Sequence, residues 1–209
     1  MTAELDALAV LRAKVAGTEM ESGIDFLMAQ DHDARLRSVR KCVDFACNKL
    51  VKHREKKQKK DEDEDSLTIQ VCDMLTHSGI KATHNASVGG HCDIVVEERD
   101  DFLWLAEAKI HSKYSWLDKG FQQLSTRYST GNPGQDNGDV LIYCFVKDAV
   151  EKLSKWRKAL EDKNPNVTTS EGEVGNPLTF ESTHKHECSG LNFHVRHKVV
   201  SLYWRPKDK

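Results

Sequence analysis

The sequence predicts an α/β sandwich built around a mixed sheet, and three observations carry that prediction. Apolar residues recur at helical spacing through residues 1 to 60, and again from Leu67 to Leu75. Two segments, Cys92 to Glu97 (CDIVVE) and Phe102 to Ile110 (FLWLAEAKI), have the composition of strands. Val140 to Val146 (VLIYCFV) is a near-continuous apolar run, as a strand buried on both faces requires.

The elements follow in order. Leu5, Leu8, Arg12 and Val15 keep helical spacing, as do Leu36, Val39, Val43, Ala46 and Leu50. Gly17 and Ser22-Gly23 interrupt the first stretch, so residues 1 to 60 form at least two helices, a helical extension ahead of a domain over residues 61 to 209. Lys49 to Lys60 (KLVKHREKKQKK) has seven Lys/Arg and one Glu, or +6, and Asp61 to Asp65 (DEDED) adds −5. A solvated helix end followed by the acid-rich first turn of the next helix accounts for both runs. An arm for nucleic acid is the sharper alternative, weakened because the acids cancel most of the field within a Debye length of ~8 Å.

Leu67, Val71, Met74 and Leu75 give an amphipathic helix that ends at His77-Ser78-Gly79. Ile80 to His84 is weakly extended, Val88-Gly89-Gly90 a turn, and CDIVVE and FLWLAEAKI a hairpin joined by the polar Glu98 to Asp101. Leu117 to Tyr128 returns to helical spacing, Gly131 to Gly138 is a loop, and Ala149 to Leu160 a charged surface helix. Residues 164 to 182, rich in Asn, Pro, Thr, Ser and Gly, read as loop. Leu191 to Trp204 reads as one or two strands at a sheet edge.

Composition narrows the function. The 209 residues carry 31 Lys+Arg against 33 Asp+Glu, a net −2, which excludes a globally basic nucleic-acid coat. No apolar run approaches the ~20 residues of a membrane span. The first charges are Glu4 and Asp6, with Arg12 and Lys14 later, the reverse of a secretory signal, so a cytoplasmic protein is expected. The six cysteines form no C-x-x-C pair and read as small buried hydrophobes.

The chemistry gathers on two strands. Glu107 and Lys109 share one strand face, about 6–7 Å apart at their Cα atoms, with Leu103 and Leu105. Trp104, Ala106 and Ile110 take the other face. In a hairpin Asp93 lies opposite Glu107, and two close carboxylates repel unless a cation sits between them. Mg²⁺, a hard ion held by one or two carboxylates, is the natural candidate. A metal-bound water beside a cationic Lys109 meets the requirements of phosphodiester hydrolysis.

Gly90-His91-Cys92-Asp93-Ile94-Val95-Val96, followed by Glu107-Ala108-Lys109, resembles the PD-(D/E)XK nuclease superfamily. Cys92 stands where the motif's proline would be. Gly120-Phe121-Gln122-Gln123-Leu124 with Tyr128 resembles the glutamine-bearing helix of that superfamily, and VLIYCFV the strand after it. The resemblance spans roughly residues 64 to 147 and implies a restriction-endonuclease-like fold: a mixed central sheet flanked by helices, here with an N-terminal helical extension. It implies Asp93, Glu107 and the Ala108 carbonyl as metal ligands, Lys109 as the catalytic lysine, and Gln123, with Gln122 as second choice, in support. An acid on the first core helix is expected too, either Glu64 or Asp65. The implied activity is a Mg²⁺-dependent nuclease, with Mn²⁺ as a substitute ion, cutting duplex DNA as a homodimer in defence against foreign DNA or in repair. A non-catalytic nucleic-acid- or protein-binding module, docking a partner through its N-terminal helices, is the alternative of another class. An RNA- or structure-specific nuclease is a third.

Other clusters carry less. His184-x-His186-x-Cys188, with His194 or His197, has zinc-ligand residue types, but no spacing matches a structural zinc motif, and a polar hairpin with hydrogen-bonded histidines is preferred. From Glu181 onward six Lys/Arg oppose three acids, so that Arg196, Lys198, Tyr203, Trp204 and Arg205 are expected to form an edge touching a nucleic-acid backbone. Lys113 and Tyr114, just past the charged strand, would face the substrate. No G-x-S-x-G, Walker loop or G-x-G-x-x-G occurs.

Overall fold

The computed structural model describes residues 2–58 and 63–208, with side chains from residue 7 onward. Lys59, Lys60, Asp61 and Glu62, and with them the junction of the two opposed charge runs, lie outside the described residues. Three helices come first: α1 (Thr2–Val15), α2 (Glu19–Met28) and α3 (His32–Lys52). Asp31 caps α3 by accepting the Ala34 N–H, and a short 3₁₀ turn, Arg54–Lys57, follows its end. Helix α4 (Glu64–His77) is capped by Asp63, which accepts the Ser66 N–H, and it stops at Gly79, where φ is 91°.

The remaining elements are β1 (Ala82–Ser87), β2 (His91–Glu98), β3 (Phe102–Ile110), α5 (Tyr114–Gln122), β4 (Asn137–Cys144), α6 (Ala149–Lys163), β5 (Thr168–Glu171), β6 (Thr179–Lys185) and β7 (Asn192–Ser201). A π-helical turn, Gln123–Tyr128, continues α5. The strands form one mixed sheet in the order β1-β2-β3-β4-β7-β6-β5. The β3–β4 and β4–β7 pairs are parallel and the others antiparallel. The predicted α/β class therefore holds, with a seven-stranded sheet flanked by six α-helices among the described residues.

Strand periodicity sorts the core into two layers. Trp104, Ala106, Leu141 and Tyr143 face α2, α3 and α4, meeting Phe26, Val43, Leu67 and Val71. Leu103, Leu105, Val140 and Ile142 face α5 and α6, meeting Leu117, Phe121, Leu153 and Trp156. The apolar run of β4 is thus buried on both faces, as its composition requires.

Two sequence expectations are corrected. Residues 164 to 182 are not loop throughout, since they contain β5 and the start of β6. The β5 segment, Thr-Thr-Ser-Glu, is the outermost strand and needs no apolar face. Strand β7 is not an edge but lies between β4 and β6. Its charged residues are neutralised from distant parts of the chain: Arg196 by Asp139 and Asp44, and Lys198 by Asp44. Arg196 and Lys198 are therefore buried and offer no surface to a phosphate backbone. No helix among the described residues is long and apolar enough to cross a membrane.

Candidate active site

Asp93, Glu107 and Lys109 come together where β2 and β3 part. The pairing of the two strands stops at Ile94↔Ala106, and one further step sets Asp93 beside Glu107. Beyond that point the β3 backbone donors that face away from β4 have no strand partner. Side chains take them instead: Asp93 Oδ2 accepts the Ala108 N–H at 2.8 Å, and Glu64 Oε2 accepts the Ile110 N–H at 2.6 Å. Each carboxylate is thereby fixed by the strand it serves.

The Lys109 ammonium occupies the middle of the cluster. Its Nζ lies 2.6 Å from Glu107 Oε1, 3.1 Å from Glu64 Oε1 and 3.7 Å from Asp93 Oδ2, and donates to the Ala108 carbonyl at 2.9 Å. Glu64 sits in the first turn of α4, so helix phase decides between the two acids that the sequence left open. Asp65 is exposed and, among the described residues, reaches only His84, at 3.8 Å.

Burial and charge set the protonation. Three carboxylates and one ammonium sum to −2 when all are ionised. Burial, and then the neighbouring Asp93, push the Glu107 carboxyl up to about 8, while Lys109 opposes the shift. Burial works against the Lys109 charge, but Glu107, Asp93 and Glu64 outweigh it and hold the ammonium above its ordinary range. Glu107 is 1% exposed, and its Oε2 is buried without a hydrogen-bond partner. Among the described residues no three His, Cys, Asp or Glu side chains converge closely enough to cage a metal ion unaided.

Helix α5 closes over this cluster through Gly120, a role that sequence reasoning missed. A Cβ at that position would fall 2.9 Å from Lys109 Cγ and 3.3 Å from Glu107 Cγ, so only glycine lets the helix approach. The available signal was a lone glycine inside a helical pattern. The π-helical turn was also unforeseen. Its i→i+5 repeat brings Gln123 and Tyr128 together, with Gln123 Nε2 donating to the Tyr128 hydroxyl at 3.1 Å. The Tyr128 hydroxyl is shifted upward by burial and by Glu107, so Gln123 reaches the site's field through this phenol. Gln122 points elsewhere, donating to Asn164.

The other sequence candidates do not join the cluster. Lys113 is the exposed N-cap residue of α5, and Tyr114 meets His111. Strand β6 ends at Lys185, so His184, His186 and Cys188 do not share a strand face. His184 packs against Phe121 and Phe193, the His186 ring meets the Ser129 carbonyl, and Cys188 is exposed. His197 is stacked on Phe180 and accepts the Trp156 indole N–H at Nδ1, which leaves Nε2–H to donate to Ser182. His194 meets the Thr183 hydroxyl. His186, His194 and His197 are thus hydrogen-bonded, whereas His184 is packed between aromatic rings with no hydrogen-bond partner among the described residues.

The arrangement gathers three carboxylates, a backbone carbonyl and an ammonium into one patch. No protein-family model, no curated protein and no solved structure matches the chain.

Proposed function

We propose that the chain is a Mg²⁺-dependent nuclease that hydrolyses phosphodiester bonds, with DNA as substrate and a PD-(D/E)XK-type site. One observation carries this reading: Asp93, Glu107 and Glu64 surround the Lys109 ammonium, and once Glu107 gives up its proton the cluster carries −2, which one divalent cation cancels. The order of elements supports it, since an acid-bearing helix, the Asp93 and Glu107-x-Lys109 strands, a glutamine-bearing helix and a buried strand follow one another as α4, β2, β3, α5 and β4.

The residues fit such an ion by donor chemistry. The Asp93, Glu107 and Glu64 carboxylates and the Ala108 carbonyl are hard oxygens, and Glu107 Oε2 is a buried acceptor still without a partner. A bound Mg²⁺ would supply charge neutralisation and a water acidified for attack. Lys109 would orient that water or stabilise negative charge as it grows on the phosphate. Asp93 and Glu64, each held by a β3 N–H, keep their lone pairs aimed into the cluster.

A second reading has an observation of its own. Lys109 is only 5% exposed and fully ion-paired, as a static charge cluster tying α4 to β3 in a binding module would be. Single-stranded, linear duplex and plasmid DNA separate the two, cleavage of any one of them counting for the nuclease. The nuclease reading requires cleavage with Mg²⁺ or Mn²⁺, none with EDTA, and none by Lys109→Ala or Asp93→Ala proteins whose circular dichroism matches wild type. Gln123→Ala should retain partial activity. Cleavage by the Lys109→Ala protein at the wild-type rate, or binding without cleavage on single-stranded, duplex, branched and RNA substrates alike, would overturn it.

A further inference from the structure

Trp116 is out of place for an indole. Trp104 and Trp156 are fully buried, whereas Trp116 is 39% exposed on α5 at the rim of the candidate site. Its ring centre lies 5.5 Å from Lys109 Nζ and 5.0 Å from Lys119 Nζ. Cation–π attraction accounts for the two ammonium groups, but not for leaving so large an apolar surface in water.

The charge around it is equally one-sided. Asp118 is the single acid between His111 and Arg127, and it is turned to Lys163 and Asn164. Lys113, Lys119 and Arg127 are exposed, and none of the three is matched with a carboxylate among the described residues. Arg127 lies against the Gly89-Gly90 turn that leads into Asp93, where a Cβ on Gly90 would fall 2.9 Å from Arg127 Cδ. Unmatched cations and a bare aromatic face therefore ring an acidic centre. Exposed aromatic faces interleaved with cations are what a single strand binds: bases stack on the ring and phosphates meet the cations.

We propose that Trp116 is a stacking platform for an unpaired nucleobase, with Lys119 and Lys113 taking the adjoining phosphates, so that the substrate is a single strand or the single-stranded overhang of a duplex. In a closed duplex both faces of each base are covered, and an indole meets a base only where the stack is interrupted. Lys119 is exposed, and its ammonium is free to leave the ring for a phosphate as a base arrives. A single strand also needs only one site per cut. The proposal rests on the nuclease reading for what happens after binding, while the stacking itself requires no metal.

Binding of short labelled oligonucleotides in EDTA, followed by anisotropy, tests it apart from hydrolysis. Trp116→Ala should weaken single-strand binding about tenfold and leave blunt duplex binding unchanged. Trp116→Phe, which keeps an aromatic face, should restore most of the affinity. Added strand should quench indole emission in wild type by an amount that the Trp116→Phe protein lacks. Parallel thymidine and uridine oligomers assign the platform to DNA or RNA. Wild-type single-strand affinity in the Trp116→Ala protein, or an equal loss for duplex, overturns the proposal. If stacking is seen but no strand is hydrolysed with Mg²⁺, the nuclease reading falls and the platform stands. If hydrolysis depends on Lys109 while Trp116→Ala binds like wild type, the platform falls.

Discussion

Glu107 is the side chain on which the chemistry of the cluster turns. Its folded-state proton is held up to about 8, against an ordinary 4.5. The folded chain therefore binds this proton more tightly than the unfolded chain does. The resulting stability is complete below about pH 4.5 and is lost as pH rises towards about 8. Buried histidines act in the opposite sense but only below their ordinary 6.5, because His184 and His197, pushed down by burial to about 4 and about 3, stay neutral in the fold. From about pH 7 to 8 the slope therefore belongs mainly to Glu107, because the buried cysteines, raised by burial, act in the same sense only as their ordinary 9.0 is approached. Urea midpoints in EDTA should fall across that range, Glu107→Gln should flatten the fall, and Mg²⁺ should raise the midpoint more at the alkaline end. A flat wild-type profile would mean that Glu107 is ionised throughout. Gly120 governs the same patch by shape. Alanine is the better helix former by ~1 kcal/mol, but its Cβ meets the stems of two buried side chains. Overpacking costs about 1–3 kcal/mol and prevails, so Gly120→Ala should lower the thermal midpoint and slow cleavage more than it weakens strand binding.

At the scale of elements, the chain's legibility depended on where each charge found its partner. Strand β3 spans the range read from FLWLAEAKI, and its two faces hold the expected residues, because the alternation of side chains between faces is a local property of a strand. The Asp93, Glu107 and Lys109 cluster was legible for the same reason: period two fixes the shared face and hairpin register fixes the third member. Glu64 was not distinguishable from Asp65, since only the phase of α4 against β3 separates them. Strand β7 was misplaced because Arg196 and Lys198 look solvated in sequence, whereas Asp44 and Asp139 meet them from α3 and β4. Asp139 is the hub of that network. It is fully buried, accepts from Arg40, Arg196 and the Trp104 indole, and so joins α3, β3, β4 and β7. Asp139→Ala would leave the buried Arg196 guanidinium with Asp44 but without its fully buried partner, and breaking a buried pair in this way costs about 3–5 kcal/mol. Chemical denaturation should show that loss, and a change below 1 kcal/mol would mean that water reaches the network.

For the whole molecule, the telling feature is how unequally the N-terminal helices contribute. The α1 side chains from residue 7 onward are exposed or at most half-buried, with Val10 and Leu11 about half exposed. Helix α3 differs: Val39, Val43 and Ala46 are wholly buried and Leu50 nearly so, in the same layer as Trp104, Leu141 and Tyr143. Fully burying each large apolar side chain stabilises by roughly 1.5–3 kcal/mol, and domains of this kind hold only about 5–15 kcal/mol in all. Removing α3 would bare one face of the sheet over β3 and β4 and break the Asp44 and Arg40 links to β7 and β4. A chain lacking residues 1 to 16 should therefore unfold cooperatively with a midpoint close to that of the full chain. A chain lacking residues 1 to 58 should show no cooperative transition and should bind a hydrophobic dye. Because Glu64 reaches the candidate site from α4, and α4 packs on α3, cleavage should survive the first truncation and vanish in the second. A cooperative, active second truncation would show that α4 and the α5–α6 layer support the sheet that carries Asp93 and Lys109 without α3.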